Sequence, residues 1–277
     1  LCCWCHTMRL IDLAQSAVRS LGYDVIRLPH RVSNPINMVD LVVRDALQRD
    51  SPFFFVQVGA NDGVNDDPLR ECVLKYRLSG LLIEPLPDLF AKLQRNYQEV
   101  PGLYFENCAV GPDSGQATIY RIQEGAPLPA HAQGMASFNR SHLSARKHGM
   151  PGLDDYVIET AVAVRTLPEI LAKYGNPAIS LLMIDTEGYD AEIVRLTLEA
   201  NIRPDIVIYE HLHLPIATQA ETLRRLKSAG YRFQEIGVDT FAMLPARAAS
   251  TAIGVANTLS LGNAGAREQQ MNTVLVP

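Results

Sequence analysis

The chain has 277 residues, of which 47% are hydrophobic and 20% are charged. This balance is typical of a globular protein and excludes a largely disordered or fibrous one. The net charge of −5 disfavours nucleic acid as a partner, because neutralising phosphates requires clustered lysine and arginine. No apolar run reaches the roughly 18 residues that span a bilayer, and no basic-then-apolar leader opens the sequence. We therefore expect a soluble, cytoplasmic protein without a membrane span.

Residues 1–50 are expected to form an N-terminal helical extension. Apolar residues recur at helical spacing over residues 11–21 and again over residues 39–47. Four potential ligands of a soft metal precede the first helix: Cys2, Cys3, Cys5 and His6. A closed zinc site normally draws its ligands from two separated pairs, and no second pair follows in the sequence. The sequence therefore favours a terminus without metal over a metal cluster.

An alternation of buried strands and helices is predicted from residue 51. Three apolar runs have the length of strands, at residues 53–58, 81–83 and 103–105. Helical patterns separate them, at residues 68–76 and around Leu89, Leu93 and Tyr97. Strands that are apolar throughout suit a parallel sheet covered on both faces. This order predicts a doubly wound α/β fold with right-handed crossovers.

The middle of the chain interrupts this alternation. Strand candidates at residues 117–122 and 157–164 flank an irregular segment at residues 125–152. We interpret the whole as an insertion that adds edge strands and a loop over the carboxyl edge of the sheet, because long irregular loops are often functional. Four polar side chains of this loop could contact a substrate or simply be solvated: Ser137, Asn139, His142 and His148.

The alternation then resumes and closes the domain. Two further strand candidates lie at residues 179–184 and 206–209, each followed by a helical pattern. Residues 231–236 and 240–244 are predicted to pair as a hairpin, which makes the final strand of a mostly parallel sheet antiparallel. We therefore predict a Rossmann-like domain over residues 51–245. Residues 246–277 contain no aromatic side chain, which predicts a flexible tail.

A glycine-containing turn follows the first predicted strand. Gly59 and Gly63 would let a ligand approach the backbone closely. The turn lacks the three glycines of the dinucleotide fingerprint and carries Asp62, which would repel a pyrophosphate but pair with an amino group. We predict that Gly59, Asn61, Asp62 and Gly63 bind a cofactor that carries an amino acid, with an ordinary tight turn as the alternative.

Two further cofactor positions follow the second and third strands. Glu84 lies about 20 residues beyond Gly63, the spacing at which an acidic residue binds ribose hydroxyls. Its two carboxylate oxygens can accept from both hydroxyls, and a surface glutamate before a proline is the alternative. Cys108 and Ala109 follow the third strand and are candidates for the wall of an adenine pocket, where any small residue could serve.

Acidic side chains gather after the strand at residues 179–184. Asp185, Glu187 and Asp190 lie within six residues, and such crowding is costly unless the carboxylates bind something. They could position a hydroxyl, act as a base or, through Asp185 and Glu187, hold a divalent metal such as magnesium. A helix cap followed by first-turn acids is the alternative.

The next strand ends at Glu210 and His211. A histidine accepts a proton near neutral pH, so we predict that His211 is a catalytic base oriented by Glu210, with Asp185 as a second candidate base. His211 and His213 alternate, and only one of them should face the site if the strand continues. A solvated loop histidine is the alternative.

Taken together, these segments resemble the FkbM-type methyltransferase family. The similar stretches are residues 55–63 (FVQVGANDG), 83–85 (IEP), 107–111 (NCAVG) and 184–188 (IDTEG). The resemblance implies a class I methyltransferase fold, S-adenosyl-L-methionine as the methyl donor, and frequently O-methylation of a sugar or natural product. It also implies that the 59–63 turn holds the methionine end of the cofactor, that Glu84 holds its ribose, and that Asp185 and Glu187 lie near the methyl group.

We therefore expect a methyltransferase that acts on a hydroxyl of a small molecule or glycan. An NAD-dependent oxidoreductase on a Rossmann fold is one alternative, which agrees with Glu84 but not with the glycine turn. A non-catalytic domain that binds the cofactor for an interaction role is another, and the acidic strand ends disfavour it. The sequence leaves the acceptor and the oligomeric state open.

Overall fold

The computed structural model describes residues 37–49, 51–129, 135–140, 143, 150 and 152–245. Several expectations lie outside these residues: the Cys2, Cys3, Cys5 and His6 cluster, the first predicted helix, the C-terminal tail, and the loop residues His142 and His148.

Seven strands form the main sheet. They are β1 Phe54–Val58, β2 Ser79–Ile83, β3 Leu103–Glu106, β8 Leu181–Ile184, β9 Ile206–Glu210, β10 Arg232–Ile236 and β11 Asp239–Met243. Their spatial order is β3-β2-β1-β8-β9-β11-β10. Neighbouring strands from β3 to β9 are parallel, whereas β11 is antiparallel to both β9 and β10. The predicted doubly wound, mostly parallel sheet with an antiparallel final strand is thereby confirmed.

Helices cover both faces of this sheet. Those of the described residues are α1 Met38–Leu47, α2 Arg70–Tyr76, α3 Pro87–Asn96, α4 Leu167–Ala172, α5 Asp190–Glu199 and α6 Ile216–Ser228. Successive strand residues point to opposite faces, so Phe55 and Val56, both 0% exposed, enter different apolar layers. Phe55 packs in the layer of α1 to α3, and Val56 packs in that of α4 to α6. Within the described part of the chain, no helix has both the length and the apolar character needed to cross a bilayer.

Helix α1 falls within the range expected for the N-terminal extension, but it packs in the core of the main domain. Val42 and Val43 are almost fully buried and share an apolar cluster with Phe55 of β1. Asp40 also accepts hydrogen bonds from Lys75 Nζ at 2.9 Å and from the Tyr76 hydroxyl at 2.8 Å. The expected boundary after residue 50 is therefore too late for this helix.

The middle of the chain builds a second sheet rather than edges of the first one. Its strands are β4 Ala109–Val110, β5 Gly115–Ile122, β6 Ala136–Ser137 and β7 Val157–Arg165, in the order β4-β7-β5-β6. The expectation of edge strands is wrong because β5 and β7 pair with each other along their whole length, from Gly115 opposite Val164 to Ile122 opposite Val157. Their backbone groups are thus satisfied without the main sheet.

The second sheet packs on the start of α3. Ile119 of β5 and Val162 of β7 share an apolar cluster with Leu86 and Leu89. This contact places β5 and β6 beside the carboxyl edge of the main sheet, where the candidate site lies.

Candidate active site

A cavity of about 440 Å³ opens at the carboxyl edge of the main sheet. Its walls come from the loops after β1, β2 and β8 and from β5 and β6 of the second sheet. In doubly wound sheets, ligands bind at this edge, where the strand order reverses. The predicted site residues that line the cavity are Gly59, Asn61, Asp62, Glu84, Cys108, Ala109, Asp185 and Glu187, and the loop residue Ser137 lines it as well. Other predicted residues do not belong to the lining: Gly63, Asn139, Asp190, Glu210 and His211.

Gly59 lies in the floor of the cavity, at a position with no space for a side chain. Its φ is +82°, and a Cβ at this position would lie 1.8 Å from the carbonyl oxygen of Asp185. The amide nitrogens of Gly59 and Ala60 both donate to the carbonyl of Ile83, at 3.0 and 3.1 Å. The ends of β1, β2 and β8 therefore meet around a residue that cannot carry a side chain.

Asn61 and Asp62 shape the turn that follows. Asn61 has a φ of +50°, and its side-chain Oδ1 accepts from the amide of Asp62 at 2.7 Å. The Asp62 carboxylate accepts from the amides of Val64 and Asn65, both at 2.9 Å. Asp62 thus holds the turn and also presents its charge to the cavity.

Gly63 has a packing role in the structure. With φ at +70°, a Cβ would lie 2.5 Å from the ring of Tyr97 and 2.6 Å from Leu93. The carbonyl of Gly63 accepts from Arg70 Nη1 at 2.8 Å. Gly63 therefore lets the turn lie against α3, behind the cavity rather than in its wall.

Glu84 is a buried carboxyl group at the end of β2. It is 4% exposed, and its oxygens accept from the amides of Asn61 and Leu86, both at 2.9 Å. Burial raises the pKa of Glu84 to about 7, although these two hydrogen bonds favour the ionised form. Each oxygen keeps room for one more hydrogen bond. Glu84 is therefore no surface residue, and it is suited to accept from two neighbouring hydroxyls.

Small buried residues continue the wall beyond Glu84. Cys108 is 2% exposed and Ala109 is 5% exposed, and both line the cavity. Burial raises the pKa of the Cys108 thiol to about 11, so the side chain is a neutral, apolar surface. Asn107 fixes this segment by donating to the carbonyls of Glu84 and Pro85, at 2.8 and 3.1 Å.

The three carboxylates after β8 have different environments. Asp190 is fully buried and accepts from the Thr186 hydroxyl and the Gly188 amide, both at 3.1 Å, so it holds the loop. Asp185 opens into the cavity. Reduced hydration of its charged form by the surrounding protein is the main cause that raises the pKa of Asp185, and the negative charges of Glu187 and Asp190 raise it further. The carboxyl group of Asp185 therefore binds a proton more readily than an ordinary aspartate does.

His213, rather than His211, approaches the carboxylates. The Nδ1 of His211 lies 3.0 Å from the Thr240 hydroxyl of β11, and its amide donates to Val238 at 2.9 Å. The Nε2 of His213 lies 3.7 Å from Glu210 Oε1 and 4.0 Å from Glu187 Oε2. Strand β9 ends at Glu210, so the alternation of a strand no longer decides which histidine faces the site.

One set of potential cation ligands occurs among the described residues. Glu187, Glu210 and His213 each offer one ligand atom, and these atoms lie within 4.8 Å of one another. Glu187 belongs to the pair named from the sequence, whereas Asp185 lies outside this set.

Several lining residues were not singled out from the sequence, and three of them bring a cation and aromatic rings to the cavity. Arg121 reaches the cavity from β5, and the rings of Phe138 and Tyr189 form an edge-on pair with centroids 5.0 Å apart. Tyr189 lies within the acidic segment after β8, which was its only sequence signal. Arg121 and Phe138 reach the cavity through the second sheet, whose position no local pattern indicates.

The cavity wall is predominantly acidic. Its seven carboxyl side chains are Asp62, Asp66, Asp67, Glu84, Glu124, Asp185 and Glu187, and its two cationic ones are Lys92 and Arg121. Both cations are paired, Lys92 with Glu124 at 2.7 Å and Arg121 with Asp88. Such a wall attracts cationic ligands and repels anionic ones.

A doubly wound sheet with a cavity at its carboxyl edge is the architecture of a large class of cofactor-binding α/β proteins. Comparison with known families shows to which family of this class the chain belongs. The Methyltransferase FkbM domain matches residues 57–233, which is more than half of the chain. The chain belongs to the FkbM methyltransferase family, and its sheet is the class I methyltransferase fold that the resemblance implied.

Similar solved structures include three methyltransferases at low identity. Methyltransferase FkbM from Methylobacillus flagellatus KT is 17% identical, with a TM-score of 0.43 over 74% of this chain and 47% of that one. The METTL16 MTase domain is 12% identical, with a TM-score of 0.43 over 83% of this chain and 76% of that one. The human methyltransferase 10 domain containing protein is also 12% identical, with a TM-score of 0.40 over 85% of this chain and 94% of that one. This chain spans about half the length of the Methylobacillus flagellatus protein. No curated protein sequence matches it significantly.

Proposed function

We propose that this chain transfers a methyl group from S-adenosyl-L-methionine to a hydroxyl of a sugar, glycan or natural product. When bound, that cofactor supplies an electrophilic methyl group on a positively charged sulfur. The observation that carries the proposal is the acidic cavity at the reversal of strand order, with a buried carboxyl group at the end of β2.

The charge of the cavity favours this cofactor over a dinucleotide. S-adenosylmethionine carries a sulfonium and an ammonium group, whereas NAD carries a pyrophosphate. Asp62 and its neighbours Asp66 and Asp67 line the side of the glycine turn, where a dinucleotide-binding protein presents backbone amides to phosphates. A pyrophosphate would meet these carboxylates, while an ammonium group would be attracted by them.

We assign the parts of the cofactor to residues by their chemistry. Glu84 accepts the two ribose hydroxyls with the free positions of its oxygens. Gly59 and Asn61 admit the methionine end over a floor without side chains, and Asp62 attracts its ammonium group. Cys108 and Ala109, together with Leu86, offer an apolar surface to the adenine.

Asp185 is our first choice for the base. It opens into the cavity, and its raised pKa brings its proton affinity closer to neutrality, which suits a general base. Asp185 would take the proton of the acceptor hydroxyl, and the bound cofactor would supply the methyl group that replaces this proton. Glu210 and His211 remain alternatives, and the hydrogen bond of His211 to Thr240 makes His211 the weaker one.

The acceptor side of the cavity suits an uncharged molecule. Glu187 and Asp185 repel anions, whereas carboxylates accept hydrogen bonds from hydroxyls. The rings of Phe138 and Tyr189 offer an apolar face of the kind on which a sugar or a planar natural product can pack. Small-molecule and glycan acceptors agree with this surface better than nucleic acids do.

The role of a divalent metal stays a separate prediction. If magnesium or manganese binds, Glu187, Glu210 and His213 are the ligands that the described residues favour. Binding of manganese, followed by electron paramagnetic resonance, should then be lost in Glu187→Gln and retained in Asp185→Asn.

Calorimetric titration tests the proposal directly. The protein should bind S-adenosylmethionine and its demethylated product, S-adenosylhomocysteine, and should not bind NAD, with or without magnesium. Binding of NAD alone would replace the proposal by an oxidoreductase. Binding of none of these by folded protein would favour a non-catalytic interaction domain.

A further inference from the structure

Arg121 is a buried cation in the wall of the cavity. It lies on β5 of the second sheet, is 7% exposed and lines the cavity. Burying a guanidinium group costs free energy unless anions compensate for it. Its Nη1 donates to the carboxylate of Asp88 in the first turn of α3. This hydrogen bond lowers the pKa of Asp88, so the pair is ionised at neutral pH.

Glu84 is a second buried ionisable side chain, and it lines the same cavity as Arg121. Only Pro85 and Leu86 separate Glu84 from α3, the helix that carries Asp88. Burial is the main influence on the pKa of Glu84 and raises it, and the negative charge of Asp88 adds to that effect. The positive charge of Arg121 acts in the opposite direction.

Other charged side chains on the elements around Glu84 are engaged elsewhere. Asp62 accepts from backbone amides of its own turn. Glu106, at the end of β3, pairs with Lys173 at 2.8 Å, and Lys92 of α3 pairs with Glu124 at 2.7 Å. Among the described residues, Arg121 is therefore the cation whose charge bears on Glu84.

We propose that Arg121 is a positioning residue for the cofactor. From the second sheet, its positive charge keeps the Glu84 carboxylate ionised, so that this carboxylate can accept from the two ribose hydroxyls. A protonated carboxyl group has one acceptor oxygen fewer, so it cannot accept equally from both hydroxyls. The inference rests on the proposed function, because Glu84 is taken to bind ribose. It makes the second sheet a working part of the cofactor site.

The test is the affinity for S-adenosylmethionine as a function of pH, from about pH 5.5 to about pH 9.5. Wild-type affinity should rise with pH with a midpoint near 7, the pKa of Glu84. In Arg121→Gln the midpoint should move up by about one pH unit, the lower end for the effect of a nearby opposite charge. Affinity at pH 7 then falls about fivefold, and it recovers above about pH 9.

Two further variants serve as controls. Arg121→Lys keeps the charge and should keep the wild-type midpoint. Lys92→Gln removes the other cation of the cavity wall, which pairs with Glu124 just after β5, and it should also keep the midpoint. A midpoint in Arg121→Gln equal to that of the wild type would overturn the inference. A loss of affinity that persists at pH 9 would overturn it too, since it would reveal a merely structural role.

A variant of opposite sign covers the case in which Arg121→Gln does not fold. Asp88→Asn removes the charge that opposes ionisation of Glu84, so its midpoint should move down, and no shift or an upward shift would refute the coupling. If wild-type protein binds no S-adenosylmethionine at any pH, the proposed function fails. A carbon-13 NMR titration of the Glu84 carboxyl group in wild type and Asp88→Asn then decides the electrostatic coupling on its own.

Discussion

Replacing Gly59 by alanine should destabilise the protein far more than a positive φ alone explains. The added Cβ would lie 1.8 Å from the carbonyl oxygen of Asp185, a separation that must grow to at least 3.0 Å. The carbonyl oxygen belongs to the backbone and the backbone fixes the position of the Cβ, so neither atom can rotate away. The ends of β1 and β8 must therefore move apart.

The magnitude follows from what this movement breaks. An alanine at φ +82° costs about 1–2 kcal/mol. The junction is held by the hydrogen bonds from Gly59 to Ile83 and from Asp185 to Val58, both at 3.0 Å, and each contributes about 1 kcal/mol. We expect a total loss of about 3–4 kcal/mol in the free energy of unfolding.

Gly175 provides the matched control. Its φ is +76°, and a Cβ there would have no neighbour within 4 Å, so Gly175→Ala should cost only the about 1–2 kcal/mol of backbone strain. Thermal unfolding should therefore place the midpoint of Gly59→Ala about 4–8 °C below that of Gly175→Ala, at about 2–4 °C per kcal/mol. Equal midpoints for the two variants would refute the steric argument.

Three further predictions rest on other parts of the structure. Cys108 and Cys72 are both buried with raised pKa values of about 11, so both should alkylate slowly near neutral pH. Added S-adenosylmethionine should slow the alkylation of Cys108 alone, because only Cys108 of the two lines the cavity; equal slowing of Cys72 in peptide mass spectra would contradict this. Thr166 forms a capping box with Glu169 at the start of α4, so Thr166→Ala should lose about 1 kcal/mol of stability in urea unfolding, whereas Thr166→Ser should retain most of it. Ionising buried Glu84 is unfavourable in the folded state. The free energy of unfolding relative to that of Glu84→Gln should therefore be greatest below pH 4.5 and fall as pH rises through about 7, by roughly 3 kcal/mol in total. A difference that does not vary with pH would show that Glu84 is not the buried group that titrates there.

The main sheet was predictable because its signal is local. Residues 53–58 and 179–184 are apolar throughout, which is typical of strands covered on both faces, and the structure has β1 and β8 there. The second sheet was not predictable in this way. The pattern of β5 and β7 shows two strands but not their partner, and the pairing of Gly115 with Val164 joins residues far apart in the chain.

The site residues also differ in whether a local sequence pattern could predict them. Gly59, Glu84 and Asp185 directly follow buried strands, and topology brings the carboxyl ends of parallel strands together, so their shared place at one cavity was expected and is observed. Arg121 was missed because its contact with Asp88 joins residues 33 positions apart. The sequence named both His211 and His213 but favoured His211; because β9 ends at Glu210, the direction of a side chain in the following turn cannot be read from alternation.

The position of β11 has a consequence for synthesis of the chain. Its five residues fill the place between β9 and β10, so the last strand of the described chain seals the sheet from within. Until residue 243 has left the ribosome, both flanking strands expose unpaired backbone edges, which are surfaces for aggregation. Nascent chains and fragments that end before this strand should therefore depend on chaperones, whereas the finished chain closes the gap itself.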